Sequence, residues 1–524
     1  MRSVMEHKFS NVPSVNIRRS TFNRSHGLKT TFDAGNLVPI FWDEALPGDT
    51  HILDLTAFAR LSTPIKPVMD NMFMEFFFFS VPNRLVWDNW QKFCGEQVDP
   101  GDSIDYTIPT ISWTNGGGAT EMTLPDYLGL PIKTTNNVTV SALYTRAYNL
   151  IWNEWFRDQN LQDSVTVDTG DGPDTTSNYS ILKRGKRHDY FTSALPWPQK
   201  GDAVDLPLGT SADILRESNA PAVHLYTAGS DSTAPTNTLS AIASGGDVAL
   251  AQASTELSMD PNGGLYADLS TATAATINSL RQAFQIQTLL ERDARAGTRY
   301  VEIIKGHFGV TSPDFRLQRP EYLGGGSIPI NINPVAQTSE SNTTNQGNLA
   351  GFGTVSGKGV GFTASFTEHS IILGLVSVRA DLTYQQGIER QYLRSTRYDY
   401  YWPSLARIGE QVVENQEIYF DDATPANNES AFGYQERYAE YRYKPSKITG
   451  LFRSDATGTL DIWHLSEDFS SLPALNDSFI QDDPPIDRII ATPTEPHFIY
   501  DSYINLRSVR PMPIYGVPFD LGRF

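Results

Sequence analysis

Residues 72–93 read MFMEFFFFSVPNRLVWDNWQKF, and the run of phenylalanines in this stretch indicates a β-rich core. Neighbouring side chains of a β-strand point to opposite faces, so the four phenylalanines from Phe76 to Phe79 would make both faces of a strand apolar. A strand with one face in water would alternate instead. The run therefore predicts a core strand covered by a partner sheet on one side, and by a helix, a long loop or another subunit on the other.

Two further stretches have strand character. Residues 369–390 read HSIILGLVSVRADLTYQQGIER and are almost continuously apolar from Ile371 to Val378. Residues 501–524 read DSYINLRSVRPMPIYGVPFDLGRF, where an alternating pattern gives way to a proline-rich, extended one. Strands are predicted near residues 371–384, 448–453, 458–465 and 497–507.

Apolar residues at helical spacing predict three helices. One follows Asn83, one covers residues 139–160 with Ser141 as its cap, and one covers residues 276–296 and ends at Gly297. Residues 335–360 are rich in Ser, Asn, Gly and Thr and are predicted to form a loop.

The stretch at residues 16–50, NIRRSTFNRSHGLKTTFDAGNLVPIFWDEALPGDT, adds a family signal to the three above. Together they resemble the major capsid proteins of small single-stranded DNA phages, the microviruses, and among these the gokushovirus branch. The resemblance weakens across residues 200–275 and 335–360. It implies an all-β core, an eight-stranded jelly-roll β-sandwich with long loop and helix-containing insertions, and sixty copies in a T=1 icosahedral shell around circular DNA.

The resemblance also implies a set of partners. These are further copies of the chain, the single-stranded DNA genome, the internal scaffolding, DNA pilot and small DNA-binding proteins of the phage, and a host surface receptor. The implied location is the virion, assembled in the host bacterial cytoplasm. Met1 to Ser10 lacks the apolar core of a signal peptide, no segment has transmembrane length, and the single cysteine, Cys94, fits a reducing compartment. No membrane insertion is expected.

The formal net charge is −19, yet the N-terminal residues are basic. We predict that residues 1–32 form a basic arm, and that its cations bind nucleic acid. The alternative is a solvated terminus without a partner. The predicted DNA-binding residues are Arg2, Lys8, Arg18, Arg19, Arg24 and Lys29.

Two other groups of cations have open interpretations. The KRGKRH sequence at residues 183–188 suits either phosphates or the acids of a neighbouring subunit. Arg390, Arg394 and Arg397 lie among the tyrosines of residues 392–401, where the rings suit either base stacking or packing at a subunit interface.

The remaining chain, residues 33–524, is predicted to be one jelly-roll capsid domain. Residues 201–275 are acidic and poor in aromatic residues, which predicts an exposed insertion. The resemblance implies that such an insertion forms a surface protrusion at the threefold axes and contacts the host. Residues 510–524 are predicted to be an extended segment lying across a neighbouring subunit.

The sequence contains no catalytic motif. HExxH, CxxC and GxSxG patterns are absent, and the Gly357–Gly359 sequence lacks the spacing of a phosphate-binding loop. The rival interpretation is a carbohydrate-active β-sandwich enzyme with paired acids, but the candidate acids lie in Pro-, Gly- or Ser-flanked loops. We therefore predict a structural protein with no enzymatic activity, metal site or cofactor.

Overall fold

The computed structural model describes residues 17–114, 119–204 and 277–515, together with six short strands between residues 213 and 268. The chain divides into two compact units, Met1–Pro198 with Asp293–Phe524, and Gln199–Arg292. The strands are β1 (Ser20–Asn23), β2 (His26–Phe32), β3 (Val38–Ala45), β4 (Thr50–Leu61), β5 (Met72–Pro82), β6 (Thr110–Trp113), β7 (Val138–Ser141), β8 (Asp213–Arg216), β9 (Leu225–Thr227), β10 (Ala241–Ser244), β11 (Asp247–Leu250), β12 (Leu257–Met259), β13 (Leu265–Asp268), β14 (Glu321–Pro329), β15 (Asn331–Ala336), β16 (Leu349–Ser365), β17 (Ser370–Ala380), β18 (Thr383–Tyr384), β19 (Glu410–Glu414), β20 (Ala431–Glu436), β21 (Ser446–Lys447) and β22 (Phe498–Arg510).

Helices are few and mostly short, so the all-β class of the core is confirmed. The α-helices are α1 (Trp90–Phe93), α2 (Leu124–Tyr127), α3 (Leu143–Ile151), α4 (Ile277–Ala296), α5 (Tyr300–Phe308), α6 (Arg390–Leu393), α7 (Asn415–Ile418) and α8 (Asp477–Ile480). None of the helices in the described parts of the chain is long and apolar enough to cross a membrane.

Two antiparallel sheets share the largest hydrophobic core. The first has the order β1-β22-β4-β16-β15, with β2 also paired to β22, and the second has the order β14-β5-β17-β3. Consecutive strands β4 and β5 lie in different sheets, as do β16 and β17, so the chain passes repeatedly from one layer to the other.

The phenylalanine run lies in β5, between β14 and β17. Phe76 and Phe78 are fully buried in the core between the sheets, and the Phe78 ring lies 5.4 Å from that of Phe362 on β16. Phe77 and Phe79 point the other way, with ring centroids 5.1 and 5.9 Å from that of Phe156. The predicted coverage of both faces is confirmed, and the second cover comes from the same chain.

That second cover is a hydrophobic layer around α3 with a charged residue at its centre. Arg146 is fully buried, and its Nε donates to Asp174 at 2.8 Å. Its Nη1 donates to the carbonyl oxygens of Val86 and Gly170, both at 2.9 Å. Because every polar contact is internal, Arg146 ties the helix to two loops without exposing its charge.

The helix predictions are confirmed in part. Helix α4 is present, and Gly297 behind it has a φ of 103°. The helix predicted for residues 139–160 is too long: β-branched residues at its start form β7, which pairs with β6, and α3 begins only at Leu143. It ends in a π-helical turn, Trp152–Phe156. Asn83 begins a 3₁₀ turn, Asn83–Leu85, rather than a helix reaching Phe93.

The loop predicted for residues 335–360 is confirmed only for residues 337–348, because β15 ends at Ala336 and β16 begins at Leu349. Close approach of neighbouring groups explains the glycines of the β16 part: a Cβ on Gly357 would lie 2.5 Å from the Ile328 Cδ1, and one on Gly353 would lie 2.8 Å from the Leu61 Cβ. The strands predicted near 448–453 and 458–465 are wrong. Short 3₁₀ turns occupy these places, beside Gly450 and Gly458, which both have positive φ.

Candidate nucleic-acid and subunit interfaces

Part of the predicted basic N-terminal arm forms β-strands instead. Strands β1 and β2 pair with β22, so residues 20–32 belong to the first sheet, which corrects the predicted arm boundary at residue 32. The pattern was missed because these strands are at the sheet edge and carry polar residues on the outward face. Arg2 and Lys8 lie outside the described residues.

The four described cations of the predicted DNA-binding set differ in their surroundings. Arg24 forms a forked ion pair with Asp43, one of whose contacts is 2.9 Å, and Lys29 forms an ion pair with Asp501 directly across the ladder. Arg18 and Arg19 are exposed and have no ion pair within the described chain. Of the four described cations, these two therefore remain available to a phosphate.

A buried polar cluster joins the two ends of the chain to the sandwich. Asp49 is fully buried and lies 3.1 Å from Arg510 Nε and 3.3 Å from His51 Nε2. Burial of the His51 ring lowers its pKa, which keeps the imidazole neutral at neutral pH. Arg24 pairs with Asp43, and Arg510 lies 3.9 Å from the same carboxylate. Asp43 therefore contacts residues near both the first and the last strand of the chain.

The basic cluster at residues 183–188 is neutralised within the chain. Each of its four Lys and Arg side chains faces a carboxylate of its own subunit, so neither phosphate nor a neighbour's acid is needed to balance them. The pairs are Lys183 with Asp483 (2.6 Å), Arg184 with Glu75, Lys186 with Glu467 (2.7 Å) and Arg187 with Asp381 (3.9 Å). The cluster thus stabilises the subunit, an outcome that neither sequence-based interpretation included.

A wide cavity of about 1130 Å³ lies next to this cluster and is lined by several arginines. Most of them are paired: Arg295 with Glu410, and Arg299 with Glu302 at 3.3 Å. Arg157 instead donates to the Gln162 carbonyl at 3.0 Å, and burial and the nearby Arg299 guanidinium lower its pKa. The cavity wall therefore carries many cations, but carboxylates of the same subunit neutralise most of them.

Asp482 lies close to the basic cluster and gives the fold a pH dependence. Burial outweighs the attraction of Arg184 and Lys186 and raises the pKa of Asp482 from 3.8 to about 7. The folded chain then holds a proton that the unfolded chain releases between about pH 4 and 7, so the free energy of unfolding falls as pH rises through this window.

Replacing Asp482 with Asn is expected to raise the melting temperature at pH 8 and to leave it nearly unchanged at pH 4, because Asn carries no charge to bury. Thermal unfolding followed at both pH values measures this. The matched control is Asp483→Asn, which alters an exposed neighbour paired with Lys183 and should not give the same pH-dependent gain. An equal gain at both pH values would contradict the account.

The arginines and tyrosines at residues 390–402 divide into engaged cations and exposed rings. Arg390 donates to Glu417 at 2.7 Å, and Arg394 pairs with Glu440 at 3.2 Å and stacks 4.4 Å from the Tyr441 ring centroid. The exposed rings are those of Tyr392, Tyr398, Tyr400, Tyr401 and Trp402. Exposed aromatic surface of this kind is typical of subunit interfaces, where Tyr, Trp and Arg are enriched.

No candidate metal centre is found in the parts of the chain that the structure describes. There, no three His, Cys, Asp or Glu side chains come close enough together to hold a metal ion. What distinguishes the molecule is a two-sheet core with large exposed aromatic surfaces.

The family model described as "Capsid protein (F protein)" matches residues 10–519. The chain belongs to this capsid protein family. It is similar over nearly its whole length to capsid protein VP1 of Bdellovibrio phage phiMH2K, with 51% identity covering 99% of this chain and 98% of the relative. Capsid protein VP1 of Chlamydia phage 1 is 44% identical (98% of each chain), and that of Spiroplasma virus 4 is 36% identical (98% and 97%).

Membership of the capsid family confirms the predicted class of function. The chain is a structural capsid protein of the virion that assembles with further copies into a shell, and it is not an enzyme. The rival interpretation, a carbohydrate-active enzyme, is therefore wrong.

Sequence reasoning missed one group of cations on the first sheet. Arg60, Lys358 and Arg507 are exposed and have no ion pair within the described chain. Apolar residues recur at every second position along residues 53–61, and this pattern could have predicted that Arg60 lies on the exposed face of a strand. Lys358 was hidden because its strand resembles a loop.

Proposed function

We propose that sixty copies of this chain form a T=1 icosahedral shell around circular single-stranded DNA. The observation that carries this proposal is the match of the capsid family over residues 10–519. Four of the six strands in the first sheet (β22, β4, β16 and β15) share a core with the four strands of the second (β14, β5, β17 and β3), which supports the further proposal that the core is an eight-stranded jelly roll.

The assembly pathway is part of the same proposal. The shell forms in the host bacterial cytoplasm with the internal scaffolding, DNA pilot and small DNA-binding proteins of the phage. The exposed aromatic residues at 392–402 pack against a neighbouring copy, which buries surface that a monomer leaves in water.

Nuclease treatment of purified particles tests the enclosure of DNA. Particles should protect a circular, single-stranded molecule that becomes digestible once the shell is opened by heat. Empty particles, or particles in which all nucleic acid is digested before heating, would contradict the proposal.

Arg18→Ala with Arg19→Ala is expected to weaken the retention of DNA without impairing folding, because both side chains are exposed and unpaired within the described chain. Each lost phosphate contact should reduce the salt dependence of DNA retention, by about 0.7 in the logarithmic slope for single strands. DNA content per particle measured across a salt series checks this. The control, Arg316→Ala with Arg407→Ala, removes two exposed arginines elsewhere. Identical salt curves for all three proteins would exclude Arg18 and Arg19 as DNA contacts.

We further propose that residues 201–275 form a surface protrusion that attaches the particle to its host. Three antiparallel pairs in this part of the chain are nested, β8 with β13, β9 with β12 and β10 with β11, which is the pairing of one long hairpin. Recognition residues in proteins often lie on connecting segments of this kind.

Deleting residues 225–262 is expected to spare assembly and to reduce adsorption to host cells at least about tenfold. The deletion removes two complete strand pairs and keeps the β8–β13 pair, so no remaining strand of the insertion loses its partner. Particle yield and adsorption rate are the two measurements. Normal adsorption by the shortened particles would refute attachment through this insertion.

A further inference from the structure

One face of the first sheet is open to solvent. Along β4 the inward side chains are buried and the outward ones are exposed, and β22 alternates in the same way. The outward set includes large apolar side chains that water does not favour: Phe58 is 46% exposed, Tyr503 55% and Ile499 60%. Contiguous exposed apolar side chains on a sheet indicate a surface that another molecule covers.

The strand register places these side chains in rows across the sheet. Directly paired residues of neighbouring strands share a face and are about 5 Å apart. Three adjacent rows are Lys29, Asp501, Phe58 and Ser356; Gly27, Tyr503, Thr56 and Lys358; and Thr31, Ile499, Arg60 and Thr354. Aromatic and cationic side chains therefore lie on one continuous surface, which is called the open face below.

The open face is positive although the chain is strongly negative. It carries Lys29, Arg60, Lys358 and Arg507 against Asp54 and Asp501. The only ion pair among these residues joins Lys29 to Asp501, so three cations remain unpaired within the described chain. A surplus of free cations in a chain of net charge −19 marks a surface selected for an anionic partner.

From these rows we infer that the open face is a binding platform for single-stranded DNA and forms part of the inner wall of the shell. Bases stack on Phe58 and Tyr503, and phosphates contact Arg60, Lys358 and Arg507. Single-stranded nucleic acid is held by this combination of flat rings and cations, and sheet faces can present both. The inference rests on the proposed enclosure of single-stranded DNA and assigns that DNA a site other than the N-terminal cations.

A second copy of the chain is the rival occupant of this face. Charge disfavours it, because two open faces in contact would oppose unpaired arginines and lysines. The exposed rings at residues 392–402 differ in this respect: Arg390 and Arg394 beside them are already neutralised by carboxylates, and of the three arginines there only Arg397 has no ion pair within the described chain. The two aromatic surfaces thus differ in the charge that they offer.

Ultraviolet cross-linking of intact DNA-filled particles tests the site. After irradiation, nuclease and protease digestion, mass spectrometry should find nucleotide adducts on the peptides that contain Phe58 and Tyr503. The double variant Phe58→Thr, Tyr503→Thr keeps strand-forming residues on exposed positions and should lower the adduct yield on those peptides about tenfold, as expected for lost stacking.

A charge variant gives an independent readout. Arg60→Ala with Arg507→Ala should release DNA at lower salt than the wild type, whereas Arg316→Ala with Arg407→Ala should match the wild type. Adducts confined to other peptides, or equal salt curves for both pairs, would overturn the platform. A folded Phe58→Thr, Tyr503→Thr subunit that forms no shells would also overturn it and assign the face to subunit contact. Wild-type particles without DNA would instead refute the proposed function itself.

Discussion

Removing residues 511–524 is expected to leave a folded, soluble subunit that forms no shells. Strand β22 ends at Arg510, whose contacts with Asp49 and Asp43 are kept, so the sandwich loses none of its described core residues. The removed part begins with apolar side chains that the subunit leaves in water: Ile514 is 64% exposed and Tyr515 79%. Such a segment gains most of its stability by lying across a neighbouring copy.

Sedimentation of the truncated chain measures this, with circular dichroism as the check on folding. A full-length companion, Met512→Ser with Ile514→Ser and Tyr515→Ser, removes the apolar side chains without shortening the chain and should also lose most of its shells. Shells of normal size and yield from the truncated chain would show that the segment has no role in assembly.

Phe78→Ala is expected to lower the free energy of unfolding of the subunit by about 4 kcal/mol, the cost of a large cavity in a packed core. Phe78 is fully buried on the central strand β5, where its ring contacts those of Phe41 and Phe362. Gly374 leaves room for this ring, since a Cβ there would lie 2.8 Å from the Phe78 Cε1.

Urea unfolding of the truncated, unassembled subunit avoids the added stability of the shell. The control is Phe352→Ala, which removes the same ring from an exposed position on β16 and should cost less than about 1 kcal/mol. Equal losses for the two variants would contradict the placement of the phenylalanine run at the centre of the core.

The parts of the fold with strong apolar patterns were predictable from the sequence. Four consecutive phenylalanines can be buried only on a strand covered on both faces, and β5 is such a strand. The loop predicted in place of β16 shows the limit: close packing against β4 requires glycines there, and glycines in sequence look like a loop. Close approach between strands distant in sequence cannot be deduced from composition.

The candidate sites were harder to predict, because the availability of a charge depends on its neighbours in space. Arg184 and Lys186 look like a nucleic-acid patch in sequence, but Glu75 and Glu467 neutralise them from distant parts of the chain. Arg60 and Arg507 stand alone in sequence and become neighbours of exposed rings only through the register of β4 and β22.

The decisive measurement is electron cryo-microscopy of material purified from host cells that produce the full-length chain together with the other phage proteins. The account predicts closed shells of one diameter with icosahedral T=1 symmetry, in which sixty two-sheet subunits contact one another through the rings at residues 392–402 and the segment beginning at Pro511. A preparation from such cells that contains only monomers or small oligomers of the chain would contradict it.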